Sequence, residues 1–170
     1  MEAVVAVYSD WGIGCCGTQP VVVSEDRRHF RAITGNGAVI VGRKTLEDFP
    51  GGKPLKGRVN IVITHQAINI PGAVVVHSFS EAAKKAREFE NAFVIGGASV
   101  FNAMLPYCER VHATIIEAEP QSDTFFPNLD KLPEWYCAAP GETKEENGLR
   151  YRFAVYDRVN PQSDCSSSAD

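Results

Sequence analysis

Five short apolar runs recur in the first hundred residues, and each is nearly continuous instead of alternating: AVVAVYS (3–9), AVIVG (38–42), NIVIT (60–64), AVVVH (73–77) and AFVIGG (92–97). A strand with one wet face alternates apolar and polar residues, whereas a strand covered on both faces does not, and such strands belong to parallel sheets flanked by helices. Helical stretches fall between them. SEDRRHFRAIT (24–34) opens with Ser24 as an N-cap and two acids in its first turn, with Phe30 and Ile33 on one face. RKTLEDF (43–49) ends at PGGKP, SEAAKKAREFE (80–90) reads as capped by Ser80 with Ala83, Ala86 and Phe89 inward, and ASVFNAMLPY (98–107) follows the last apolar run. The segments RVHATIIEAE (110–119), WYCAA (135–139) and LRYRFAVYDRV (149–159) are strand-like without intervening helices. The pattern predicts an α/β fold: a mostly parallel twisted sheet of about eight strands, an antiparallel C-terminal edge, and about four helices on its two faces. Residues 1–159 form one domain on this reading, and the polar stretch NPQSDCSSSAD (160–170) is a disordered tail.

Composition narrows the partners. With 170 residues, 44% of them hydrophobic, one core suffices for folding without staples. The net charge is −4 and no block of lysine and arginine occurs, which argues against a nucleic-acid partner and leaves small molecules. No apolar run nears the roughly 20 residues that span a bilayer, so no membrane role is expected. The five cysteines (Cys15, Cys16, Cys108, Cys137, Cys165) have no CxxC spacing, follow no secretory signal and suit a reducing cytoplasm. Neither they nor the four histidines carry a zinc-ligand spacing, so no metal is expected.

Ligands of open α/β sheets bind at the carboxyl ends of strands. Two junctions there attract notice. In VGRKT (41–45), Gly42 ends a strand and Arg43, Lys44 and Thr45 open a helix; in VIGGASVF (94–101), Gly96 and Gly97 leave backbone bare before Ser99. Together they suit a diphosphate and a further phosphate. The glycine pair equally suits a structural turn, and Arg43 and Lys44 equally suit a solvated face. Asp26, in a first helical turn beside the glycine-rich stretch DWGIGCCGTQP (10–20), offers two acceptors to an amino–imino edge if it faces a pocket. Its alternative is a solvated acid complementing the helix dipole.

The segments VVAV…DWGIG, SEDRRHF, VIVGRKTLEDFPGGKPLKGRVNIVIT, FVIGGASVF and ATIIEAEPQSDTFFP, in that order, resemble the dihydrofolate reductase family from about Ala3 to Val159. The resemblance implies a cytoplasmic, monomeric enzyme of one-carbon metabolism that uses NADPH to reduce 7,8-dihydrofolate to tetrahydrofolate, with antifolates as further ligands. By position, Asp26 and Thr114 are the catalytic carboxylate and its hydroxyl partner. Val4, Val5, Arg27, Phe30, Phe49, Leu55 and Ile95 would line the substrate pocket, and Arg58 would pair with the glutamate α-carboxylate. For the cofactor the resemblance implies Ala6, Ile13 and Gly14 beside the nicotinamide, Arg43, Lys44, Thr45, Thr64 and His65 at the adenosine end with its phosphates, and Gly42 and Ile95 as further contacts. Gly96, Gly97, Ala98, Ser99, Val100 and Phe101 would follow the diphosphate, with a cis peptide between the two glycines. Asp123 would hydrogen-bond the loop over residues 9–23.

Two positions depart from the family. Pro20 is followed by Val21 where tryptophan is usual, and the pocket acid is followed by Arg27 instead of a large apolar residue. Arg27 could cover the benzoyl ring with its stem and attract the substrate's carboxylate tail, or face solvent. Rival readings are the riboflavin-pathway pyrimidine reductase of the same fold and a non-catalytic nucleotide-binding paralogue; Asp26, Thr114 and Arg58 together favour the folate enzyme.

Overall fold

The computed structural model describes residues 1–159; the tail expected at 160–170 lies outside the described residues. The elements in chain order are β1 (Glu2–Tyr8), β2 (Gly12–Gly14), α1 (Ser24–Thr34), β3 (Ala38–Gly42), α2 (Arg43–Glu47), β4 (Val59–Ile63), β5 (Ala73–Val76), α3 (Phe79–Ala86), β6 (Ala92–Gly96), α4 (Ala98–Met104), β7 (Arg110–Ile116), β8 (Thr124–Phe125), β9 (Trp135–Ala139), β10 (Lys144–Glu146) and β11 (Leu149–Arg158). Eight strands lie in the order β10-β11-β7-β1-β6-β3-β4-β5, and β9 joins the far part of β11. Every pairing from β7 to β5 is parallel, and β11 runs antiparallel to β7, β9 and β10. The expected mixed sheet with an antiparallel C-terminal edge is therefore present.

The continuous apolar runs are explained by what covers them. Along β3 and β4, Ile40 and Ile61 pack with Ala82, Ala83 and Ala86 of α3 and Met104 of α4, whereas Val41 and Val62 pack with Leu46 of α2 on the other face. Successive side chains of a strand point to opposite faces, so each strand needs apolar residues at consecutive positions. α1 shares the α2 face: its Asp26 meets Thr114, which β7 directs away from the Val111 and Ala113 side.

Three local expectations are corrected. α3 is capped by Ser78 and not by Ser80: the Ser78 hydroxyl accepts the Glu81 N–H at 3.0 Å, and the Glu81 carboxylate accepts the His77 N–H at 2.9 Å. The Ser–x–x–Glu spacing of a capping box starts at Ser78, which moves the helix start two residues earlier. Ser24 begins α1 but does not cap it. Glu146 of β10 takes that part, accepting both the Ser24 N–H at 2.9 Å and the Ser24 hydroxyl at 2.5 Å. Finally, β2, β8 and β10 were not expected; at two or three residues each, they are too short to carry a readable alternation.

Ser78→Ala is expected to cost about 1 kcal/mol of unfolding free energy, whereas Ser80→Ala stays near zero. Urea unfolding of the two variants distinguishes the caps.

Candidate active site

The site arises where two parallel neighbours part. β1 pairs with β7 along its whole length from Glu2 to Tyr8, but with β6 only at Glu2 and Ala3. Beyond Ala3 the two strands diverge, and a cavity of about 720 Å³ opens between their carboxyl ends. Its lining includes Val4, Val5 and Ala6 of β1, Ile13 and Gly14 of β2, Asp26 and Phe30 of α1, Lys44 and Thr45 of α2, and Ile95 to Ala98 with Phe101 from the β6–α4 junction. Connections leave for opposite sides of the sheet here, the usual place for a ligand in such folds. A bulge aims one residue into it: Ile40 pairs with Val94 and Val41 with Gly96, so Ile95 is the extra residue turned to the cavity.

Asp26 supplies the carboxylate. Its Oδ1 accepts the Thr114 hydroxyl at 2.5 Å, and Thr114 is itself buried at 3% exposure, which leaves Oδ2 as the acceptor for a ligand. Burial pushes the Asp26 carboxyl above its ordinary value, opposed by the Thr114 hydrogen bond and by the nearby His29. Glu25, one residue earlier, points away to Tyr151 and Lys144. Of the two acids in this turn, only Asp26 reaches the cavity.

On the opposite wall the glycines are bare for a reason internal to the protein. A Cβ on Gly97 would sit 2.7 Å from the Thr45 hydroxyl, and Gly96 has φ = 136°, a conformation closed to other residues. The peptide between them is cis. The α2 and α4 starts therefore approach as closely as backbone and one hydroxyl allow, and Lys44 adds a cation to the lining.

Several expected residues stand off the cavity. Arg58 lies behind Phe30, its guanidinium 5.7 Å from that ring; Nε donates to Thr34 at 2.9 Å and one Nη to the Lys56 carbonyl at 3.0 Å. Its pKa is lowered by burial and by the like charge of Arg31. Arg43 pairs with Glu47 at 2.5 Å, while Thr64 is buried and His65 exposed; all three follow β3 and β4, whose ends are in register at Gly42 and Ile63. Leu55 is held outside by the Asn60 amide, and Ser99 is exposed. Gly42 and Val100 face each other inside the protein, where a Cβ on Gly42 would lie 3.2 Å from Val100, so the Val100 side chain is turned from any ligand. Arg27 is exposed and lines no part of the cavity, so its stem does not cover the pocket.

Lining residues absent from the expected set are Gly17, Thr18, Gln19, Val22, Asp48 and Thr124. Asp48 and Thr124 lie within segments that carry the family resemblance, and Gly17 to Gln19 lie within the glycine-rich stretch 10–20. Gly17 to Gln19 and Val22 belong to the loop after β2, whose path depends on distant partners: Cys16 N–H donates to Asp123 Oδ2 at 2.8 Å, as expected of Asp123, and the Thr124 hydroxyl donates to the Gly14 carbonyl at 3.1 Å. At the loop's exit the Tyr8 hydroxyl donates to the Val21 carbonyl at 2.8 Å and accepts the Val21 N–H at 3.1 Å.

A mostly parallel open sheet with a half-buried carboxylate opposite a glycine-walled cleft defines a small-molecule site of the α/β class. The dihydrofolate reductase family model matches residues 1–158. A dihydrofolate reductase of Heliothis virescens is 33% identical, with 94% of this chain and 97% of the relative aligned, and that of Bacillus subtilis is 33% identical over 87% and 88%. A bifunctional dihydrofolate reductase-thymidylate synthase of Glycine max is 35% identical over 93% of this chain, which spans only 33% of that relative. The solved dihydrofolate reductase from Enterococcus faecalis, complexed with NADP(H) and RAB-propyl, superposes with a TM-score of 0.82 at 31% identity over 94% of this chain and 96% of that one. The chain belongs to the dihydrofolate reductase family.

Because the folded carboxyl of Asp26 holds its proton above the unfolded value, ionisation there weakens the fold as pH rises through that interval. Asp26→Asn has no proton to lose there, so its melting temperature relative to the parent should climb from acid toward neutral pH. Calorimetry across that range measures the difference.

Proposed function

We propose that this chain catalyses the NADPH-dependent reduction of 7,8-dihydrofolate to 5,6,7,8-tetrahydrofolate. The observation that carries the reading is the Asp26–Thr114 pair facing the glycine-walled cleft in a chain of this family. The residues fit a dinucleotide: Gly96 and Gly97 leave a wall without side chains, Lys44 supplies positive charge, and Thr45 a hydroxyl. When bound, the reduced nicotinamide supplies a hydride to the pterin.

The chain's own residues do the rest. Asp26 binds the amino–imino edge of the pterin through Oδ2 while Thr114 fixes the carboxylate through Oδ1. Raised by burial, the Asp26 carboxyl holds a proton closer to neutrality than a solvated acid would, which favours protonation of the ring nitrogen next to the reduced carbon. Val4, Val5, Phe30, Phe49 and Ile95 exclude water around the ring system. Arg58, in the field of Arg31, suits the glutamate α-carboxylate, while Leu55 borders the same end. Ala6, Ile13 and Gly14 border the nicotinamide, Gly96 to Phe101 follow the diphosphate, and Gly42, Arg43, Lys44, Thr45, Thr64 and His65 take the adenosine end with its 2′-phosphate. Since Arg27 is exposed, its attraction for the carboxylate tail operates through the solvent-facing guanidinium alone.

We also read the protein as a cytoplasmic monomer. The four cysteines among the described residues are all free, which suits a reducing compartment, and no helix described is long and apolar enough to cross a membrane.

The test follows NADPH oxidation with dihydrofolate, with NADH as control. Asp26→Asn should lose about 100-fold or more of the rate near neutral pH while still binding NADPH, and should recover part of it as falling pH supplies the proton from solvent. Full turnover in the variant would refute the role of Asp26. NADPH binding without turnover in the parent would move the reading to a ribosylated pyrimidine substrate.

A further inference from the structure

A second cluster of reactive side chains lies on the outside of the loop that flanks the cavity. Cys15 and Cys16 are adjacent in sequence, and in an extended chain their side chains would point apart. Here they converge, with the two Sγ atoms 3.5 Å apart. The turn explains it: Cys15 and Thr18 form a two-way backbone bridge at 2.9 and 3.0 Å, and Cys16 takes φ = 54° inside it. Asp123 completes the group, and one donor atom from each of the three residues lies within 4.8 Å of the others.

We propose that Cys15, Cys16 and Asp123 bind a single thiophilic divalent cation of the zinc and cadmium type. In a tetrahedral site with metal–sulfur bonds of about 2.3 Å, two thiolates stand about 3.8 Å apart, so the observed separation is already close to one edge of such a tetrahedron. Asp123 is fixed toward the pair because its Oδ2 accepts the Cys16 N–H at 2.8 Å while its own N–H donates to the Gly14 carbonyl at 3.0 Å; its Oδ1 remains as the ligand. Cys16 and Asp123 are exposed, which gives the ion an entry path and leaves the fourth position to water. Binding releases the two thiol protons to solvent with no change of oxidation state. Sulfur donors exclude magnesium and calcium, which take oxygen ligands. Sequence spacing does not group these donors, because the third comes from 107 residues away.

Bound there, the ion would tie the loop to the strand region after β7. Gly14 and Gly17 to Gln19, on either side of the pair, line the cavity. The proposal does not depend on the reductase reading, since its test reads metal and not turnover.

The experiment titrates Cd²⁺ into the full chain under a phosphine reductant, following the thiolate-to-metal charge-transfer absorption. Cys137→Ser/Cys165→Ser serves as the background that removes the exposed lone thiol and the one beyond the described residues. One Cd²⁺ per chain is expected, displaced by Zn²⁺ and not by Mg²⁺. Losing an outer partner of a metal site costs 10–100-fold, so loss of a direct thiolate in Cys16→Ser should weaken binding by at least about 100-fold, and Asp123→Asn by about 10-fold. An absorption band that persists unchanged in Cys16→Ser, or displacement by Mg²⁺, overturns the site.

Discussion

Everything at the site depends on β1 having two parallel neighbours and losing one of them after Ala3. A strand in the middle of a parallel sheet is normally bonded on both sides along its length, and its apolar residues then serve only the core. By keeping β7 and releasing β6, β1 stays anchored while Val4, Val5 and Ala6 acquire a free flank. The bulge at Ile95 and the bare backbone at Gly96 and Gly97 shape the other bank. The cleft is a fault line in the sheet, stabilised by the continuous pairing on either side of it.

Charge is distributed across that fault in a consistent way. The acid sits on the α1 bank, withdrawn from water and held by one hydroxyl from β7. On the α2 bank, at the ends of β3 and β4, Lys44 lines the cleft near Asp48, while Arg43 is paired with Glu47. A ligand with a neutral, hydrogen-bonding ring at one end and anionic groups at the other matches that division, and the reverse orientation would bring like charges together.

Much of the fold was legible because burial on both faces leaves a strong mark on sequence: the runs at 38–42 and 92–97 are apolar at every or nearly every position and too short for buried helices. Asp26 and the two glycine junctions were legible because each follows a local rule about strand and helix ends. What was not legible is long-range. Glu146 capping α1 and Tyr8 gripping Val21 join residues whose local sequence contains no hint of the partner, and the contact of Asp123 with the loop at Cys16 was expected from the family resemblance alone. Resemblance to a family supplied Thr114, which no periodicity would have singled out and which meets Asp26; it also named Arg58, which stands off the cavity behind Phe30. It also carried Arg27 toward the pocket, where packing does not take it, since a charged side chain on the outer face of α1 has no reason to leave water.

The 88-residue separation between Asp26 and Thr114 has a consequence for how the molecule comes into being. The glycine wall and the cations are all present by residue 101, within the consecutive β3 to α4 segment, but the carboxylate has no hydroxyl partner until β7 is added. During synthesis from the N-terminus, the chain would acquire the wall of its cleft before it could fix its acid, and because β7 is then flanked by β1 and β11, completion awaits strands made last. Catalytic competence is in that sense a late property of the chain, reached only when the least local contacts of the sheet have formed.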